Sequence, residues 1–205
     1  MKKKNANYTA IVFDLGNTLI RFDHNIAVNK LKARFNIDPK KTYQLFFDSP
    51  ITHLFEKGEI TPLEFHKRAS ELLEIEISYN EFLDIWNNIF WEDKGSCALA
   101  RQLKGDYKLI LLSNINQVHF EHVQSNFDIL EIFDELVLSY KLGAMKPDKR
   151  IYDDAVAKSG GDRSKIVYID DREDLIKVST ALGIESIRYE NIEKLSAALR
   201  DKGIL

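Results

Sequence analysis

The sequence predicts an α/β protein, a doubly wound parallel sheet with an all-helical segment inserted after its first strand. Three observations lead there. Short runs that are apolar at consecutive positions recur along the chain. Helical periodicity fills the gaps between the last four of them. One long stretch, 22–94, carries helical periodicity alone.

The first run is Tyr8–Phe13 (YTAIVF). The others are Leu109–Leu112 (LILL, led in by Tyr107 and Lys108), Leu136–Leu138 (LVL), Ile166–Ile169 (IVYI) and Ile184–Ile187 (IESI). Each is short, rich in β-branched or aromatic residues and bounded by polar ones, as strands are. Apolar character on both faces suits a parallel sheet covered by helices. Phe120, Val123 and Phe127 mark a helix between the second and third runs. Leu175, Val178 and Leu182 mark another, with Gly183 as its stop signal, and Ile192, Leu195 and Leu199 a last one. Strand and helix in alternation mean a doubly wound core.

Within 22–94 one helical face reads Phe65, Ala69, Leu72 and Leu73, and another Phe82, Leu83, Trp86, Ile89 and Phe90. Thr61-Pro62 followed by Glu64 has the form of a helix start, with threonine as N-cap and proline in the first turn. Trp86 and Trp91 are read as part of this segment's own core. The change of period alone sets the division: 1–21 with 95–205 as the core, and 22–94 as the helical insert.

Composition narrows the function. Of 205 residues 44% are hydrophobic and 30% charged, enough to bury a core and against wholesale disorder. Lys and Arg number 29 against 32 Asp and Glu, a net charge of −3, so nucleic acid or an anionic membrane is not the expected partner. The one cysteine, Cys97, can form no intrachain disulfide and no thiolate zinc site, which suits a reducing cytoplasm. Lys2–Lys4 precede polar residues, Asn5 to Thr9, where a signal peptide would be apolar. No run approaches the about 20 apolar residues of a membrane helix.

In an open parallel sheet, ligands bind beyond the carboxyl ends of the strands. Four polar spots stand there. Asp14 follows the first strand, Ser113-Asn114 the second, Lys146-Pro147 comes soon after the third, and Asp170-Asp171 with Asp174 ends the fourth. Singly, each reads as a turn, a helix cap or a solvated loop lysine. Two adjacent carboxylates repel unless a cation sits between them. Together the four make coherent chemistry. A carboxylate can attack phosphorus, two carboxylates make a hard oxygen site for Mg²⁺, and lysine and hydroxyl can neutralise and orient phosphate oxygens. The metal lets an anionic nucleophile approach an anionic phosphate.

These motifs (FDLGNTL, LLSN, KP with the following DKRIY, and IDD) resemble those of the haloacid dehalogenase-like hydrolase superfamily. The likeness is to its phosphatase branch with a helical type 1 cap and covers essentially the whole chain. DLGN and the segment Phe55–Ile60 (FEKGEI) look most like small bacterial sugar-phosphate phosphatases of the α-D-glucose-1-phosphate type. The resemblance implies a Rossmann-like core and a cytoplasmic, Mg²⁺-dependent phosphatase of a small phosphorylated metabolite, working through an aspartyl-phosphate. It implies that Asp14 is nucleophile and metal ligand, that the Gly16 carbonyl and Asp171 are further ligands, and that Asp170 supports or shares the metal. Ser113, Asn114 and Lys146 would hold the phosphoryl group.

The sequence departs from the family's pattern twice. Most such phosphatases have a second aspartate two residues after the nucleophile, as the general acid and base; here it is Gly16. Either the substrate has a good leaving group, as an anomeric sugar oxygen is, or another group supplies the proton, His53, Glu56 and Lys57 of the insert being candidates. Leu175 stands where relatives carry a polar residue four after the metal aspartate, and Asp174 is four after Asp170, leaving open which acid assists. Two alternatives go with these departures: a phosphate-ligand-binding protein without turnover, and a 2-haloacid dehalogenase.

Overall fold

The computed structural model describes residues 7–47 and 49–205. Lys2–Lys4 and Asn5, on which the signal-peptide reading turns, lie outside the described residues.

Strand β1 (Ala10–Phe13) is buried at every residue. It leads through a tight loop into β2 (Ile20–Phe22) and then into helices α1 (His24–Phe35), α2 (Pro39–Phe47), α3 (Pro50–Glu56), α4 (Pro62–Leu73) and α5 (Tyr79–Asn87). Strand β3 (Phe90–Glu92) returns antiparallel to β2, with Phe22 opposite Phe90 and Ile20 opposite Glu92. The chain continues through α6 (Lys94–Leu103), β4 (Lys108–Ser113), α7 (Gln117–Asn126), β5 (Glu135–Leu138), the one-turn α8 (Ser139–Leu142) and α9 (Lys149–Ser159). It ends with β6 (Ile166–Asp170), α10 (Glu173–Ala181), β7 (Glu185–Arg188) and α11 (Ile192–Asp201). The main sheet runs β5-β4-β1-β6-β7, all parallel.

Because β4 and β6 flank β1, the carboxyl ends of three central strands lie side by side. This is the switch point of a doubly wound sheet, where crevices open. Strand side chains alternate between two cores, as a period of two requires. Ile11, Phe13, Leu109, Leu111, Val167 and Ile169 face one layer, with Cys97 and Leu103 of α6, Phe120 of α7 and Leu195 of α11. Ala10, Val12, Ile110, Leu112, Ile166 and Tyr168 face the other, with Ile151 and Tyr152 of α9.

The helical insert has its own core. Phe46, Phe55, Phe65, Phe82 and Trp86 are its largest members, and Val118 of α7 joins it from the main domain. Phe55 stacks on Phe65 at 4.4 Å and Phe46 meets Trp86 edge-on at 4.8 Å. Thr61 caps α4 by accepting from the Glu64 amide, with Pro62 in the first turn, the start the sequence predicts.

Three details differ from the sequence reading. The segment is not helical throughout, because β2 and β3 form a short ribbon at its base. Leu72 is 48% exposed: the buried arc of α4 runs through Phe65, Ala69 and Leu73, and Leu72 falls about a sixth of a turn from its middle, beyond the edge that Phe65 marks. Trp91 is 47% exposed, since alternation along β3 turns it away from the side that Phe90 packs. No helix among the described residues is long and apolar enough to cross a membrane.

Candidate active site

Asp14 stands one residue beyond β1, Ser113 closes β4 and Asp170 closes β6. Into the space between them reaches Lys146, 3% exposed, from the loop after α8. Its ammonium donates to Asp14 Oδ1 at 2.6 Å, to Asp170 Oδ2 at 2.7 Å and to the Leu112 carbonyl at 3.3 Å. Asn114 holds the lysine's backbone from both sides: its Nδ2 donates to the Lys146 carbonyl at 2.9 Å, and its Oδ1 accepts from the Lys146 amide at 2.7 Å. The Asn114 side chain therefore fixes Lys146. The Ser113 hydroxyl has only a long 3.5 Å contact to the Asn114 carbonyl, which leaves it able to donate to a ligand.

Asp170 is fully buried and both its oxygens are engaged. Oδ2 accepts from Lys146 and from the Tyr168 hydroxyl, and Oδ1 accepts from the Arg172 amide at 2.8 Å. Asp171 is less buried. With Asp14 and Asp170 it forms a group of carboxylates whose nearest oxygens lie within 4.8 Å of one another. Asp174 does not join them. Its exposed carboxylate pairs with the Arg172 guanidinium at 2.6 and 3.1 Å, because the first turn of α10 carries it outward. Leu175, the position after it, packs in the core at 1% exposure, where a polar group would be stranded.

Burial pushes the Asp14 carboxyl up; Lys146 pulls it back, and Asp170 and Asp171 add to the rise. Asp171 is likewise raised by burial and by Asp170. Burial opposes the Lys146 ammonium, but Asp14 and Asp170 outweigh it and hold the lysine charged. Three crowded carboxylates thus share one ammonium, a hard oxygen donor set short of positive charge. A divalent cation such as Mg²⁺ fits both the donors and the deficit.

A cavity of ≈ 100 Å³ opens beside these groups, lined by Gly16 and Ser113 of the core, Phe22 of β2, His24 of α1, His119 of α7 and Glu56 of α3. Burial drives both histidines neutral, His24 down to about 4 and His119 to about 3. A Cβ on Gly16 would lie 2.9 Å from the Phe22 ring, which is itself packed on His24 at 4.7 Å. At the place of the acid missing from the sequence there is an aromatic wall.

A family model for haloacid dehalogenase-like hydrolases matches residues 8–177. The chain belongs to the haloacid dehalogenase-like hydrolase family. It is therefore an enzyme of that hydrolytic class. The D-ribitol-5-phosphate phosphatase of Bacteroides thetaiotaomicron is 27% identical over 188 residues, covering 88% of this chain and 91% of that protein. A pyrimidine 5'-nucleotidase of Escherichia coli is 28% identical over 176 residues, covering 78% and 76%. A solved haloacid dehalogenase family enzyme of B. thetaiotaomicron, complexed with magnesium and inorganic phosphate, superposes with a TM-score of 0.83 at 29% identity, covering 94% of this chain and all, 100%, of that one.

Of the insert residues considered for this hydrolase's missing acid, only Glu56 lines the cavity. His53 is exposed on α3, and the charge of Lys57 acts on Asp148. Glu56 is held in place through its backbone: its carbonyl accepts from the Ser139 hydroxyl of α8 at 2.7 Å. Gly58 seats the same turn, with a φ of +69° and no room for a Cβ against the Tyr140 carbonyl. Gly58→Ala is expected to lose about 1–2 kcal/mol for the left-handed backbone alone. It should also lower turnover by lifting this turn from α8. Thermal melts and steady-state rates check both; a variant that melts and turns over like the native chain would show that the contact yields freely.

Sequence reasoning missed Tyr168, Phe22, His24, His119 and Arg172. Tyr168 was legible in principle, because residues two apart in a strand share a face and Asp170 is two further on. The others come from separate elements and carry no local signal.

Proposed function

We propose that this hydrolase is a Mg²⁺-dependent phosphatase of a small phosphorylated metabolite, a sugar or polyol phosphate, acting through an aspartyl-phosphate on Asp14. The observation that carries the reading is the Lys146 ammonium between Asp14 and Asp170, beside the open Ser113 hydroxyl and the Asp171 carboxylate. The phosphatases and nucleotidase among its relatives, and the magnesium and phosphate in its structural neighbour, support it.

In this reading an Asp14 oxygen attacks phosphorus while Lys146 and the Ser113 hydroxyl hold the equatorial oxygens, placing positive charge and donors where negative charge gathers. Asn114 keeps Lys146 aimed. Mg²⁺, held by the Asp14 and Asp171 carboxylates and, by family resemblance, the Gly16 carbonyl, would supply the remaining countercharge. Asp170 serves to position Lys146, since its oxygens are spoken for.

The α-D-glucose-1-phosphate reading rests on the DLGN motif, the segment Phe55–Ile60 and the better leaving group of an anomeric oxygen, which suits Gly16. Of the relatives above, the one named for a sugar alcohol phosphate is a 5-phosphatase, which argues for testing both kinds. Gly16 also suits a 2-haloacid dehalogenase, against which stands the acidic group round Asp14.

The test is phosphate release from sugar 1-phosphates, sugar and polyol 5- and 6-phosphates and nucleotides, with and without Mg²⁺. Native protein should release phosphate only with Mg²⁺, and Asp14→Asn should release none. Undiminished release by Asp14→Asn would remove Asp14 from its role. Halide release from a 2-haloacid without Mg²⁺ would establish the dehalogenase. Stabilisation by sugar phosphates with no turnover would mark a binding protein.

A further inference from the structure

We propose that Glu56, at the end of α3 in the helical insert, is the proton donor to the leaving-group oxygen and then the base that activates water, replacing the acid absent at Gly16. The proposal rests on the phosphatase reading above and assigns a residue that the family's motif does not supply.

Four observations converge on it. The motif's own position cannot serve: Gly16 has no side chain, and the Phe22 ring fills the space a side chain would enter. Glu56 lines the same cavity as Gly16 and Ser113. Its backbone is fixed to the core by Ser139, with Gly58 seated on Tyr140, so the carboxyl is placed by the core although it belongs to the insert. Its side chain makes no hydrogen bond or ion pair with the described residues, so its proton is not committed elsewhere.

The surroundings favour a carboxyl that exchanges protons near neutrality. Burial pushes Glu56 up to about 7, while the Arg172 charge pulls it down. His24 and His119 in the cavity wall are neutral at that pH. On α8, against which α3 packs, stand Tyr140 and Lys141, the latter over the Phe120 ring. Lys57 acts on Asp148, and Asp14 stands next to Leu15 of the cavity wall. A general acid or base is most effective with a pKa near the working pH.

The steps balance. In the first, an Asp14 oxygen bonds to phosphorus, the ester P–O bond breaks, and the leaving oxygen takes both the electron pair and the Glu56 proton. In the second, the Glu56 carboxylate takes a proton from water, and the water oxygen bonds to phosphorus. The P–O bond to Asp14 breaks, releasing orthophosphate and leaving Glu56 protonated as at the start.

The test compares native protein, Glu56→Gln and Glu56→Asp on a sugar or polyol phosphate and on p-nitrophenyl phosphate, whose leaving group needs no proton. All assays contain Mg²⁺. Glu56→Gln is expected to release phosphate from the alkyl ester about 10²–10⁴-fold more slowly. It should keep a first-turnover burst of p-nitrophenolate followed by a slow steady state, because only the water step then lacks its base. The native rate on the alkyl ester should fall above pH 7, as Glu56 loses its proton, and that alkaline fall should disappear in Glu56→Gln but persist, at lower rate, in Glu56→Asp. An equal loss on both substrates with no burst would show a structural role and overturn the proposal; so would an unchanged alkyl rate. Failure of the phosphatase reading is read separately, as activity that survives Asp14→Asn on both substrates.

Discussion

Lys146→Met is expected to abolish phosphate release and to destabilise the protein by about 3–5 kcal/mol, the range for removing one partner of a buried charge cluster. The ammonium is 3% exposed and is the one side-chain cation in contact with both Asp14 and Asp170 among the described residues. Methionine keeps the apolar stem but leaves two buried carboxylates facing each other. Set against a typical total of about 5–15 kcal/mol, such a loss brings unfolding within reach of mild denaturant. The sign with pH follows from the same contacts. The variant's unpaired carboxyls are pushed up further than in the native chain, so the penalty is largest where they must ionise, near pH 7 and above. It shrinks as the pH falls and they protonate. Urea unfolding at pH 7.5 and pH 4.5 measures it. A variant as stable as the native protein at pH 7.5 would mean that Asp14 and Asp170 reach solvent without the lysine.

Glu56→Gln is expected to stabilise the protein at high pH. The native carboxyl rises from its ordinary 4.5 to about 7 on folding. A carboxyl raised in this way favours its neutral form in the fold. Its contribution is therefore fully present below about pH 4.5 and is lost as the pH climbs through about 7. Glutamine removes that loss. At pH 8 the gain should be up to about 3 kcal/mol, at 1.36 kcal/mol per pH unit, and smaller to the extent that the partly buried carboxyl keeps water. At pH 4 no gain is expected. Melting curves of the two proteins across this range should converge on the acid side. Equal melting temperatures at pH 8 would show that Glu56 ionises as freely in the fold as outside it. The comparison also separates burial from catalysis, because it involves no substrate.

Both variants act on groups that differ in how far the sequence announced them. Lys146, Asp14, Asp170 and Asp171 were legible because each stands at or near a strand end, and strand ends follow from where the apolar runs stop. Residues such as Ile11 and Val12, or Ile110 and Leu111, are apolar on both faces, and only a strand covered on both sides buries them all. Once the order of strand and helix requires a parallel sheet, the polar residues after β1, β4 and β6 must share one edge. The helical insert was legible for the same kind of reason, from Phe65, Ala69 and Leu73 at helical spacing.

The partners of those residues were not legible. Asp14 and Lys146 are 132 residues apart, and their 2.6 Å contact depends on which loop crosses the sheet edge and at what height. That the Asn114 side chain turns to the Lys146 backbone, 32 residues on, has no local signal. Asp174 looked like a companion of Asp171, but the first turn of α10 points it to Arg172. Leu72, apolar at helical spacing, lies exposed because periodicity gives a face only approximately, and the neighbouring elements decide where that face is covered; Trp91 lies exposed because it falls on a strand whose alternation turns it outward. Glu56 shows the limit most plainly. Nothing local distinguishes it from His53 or Lys57; the docking of α3 on α8 turns it alone into the cavity wall. The sequence by itself determined the doubly wound sheet, the insert and the set of charged groups at the strand ends, because backbone periodicity and burial act over a few residues. Tertiary structure decided which of those groups touch and which carboxyl of the insert meets them, because side-chain contact between distant segments is set by packing between elements.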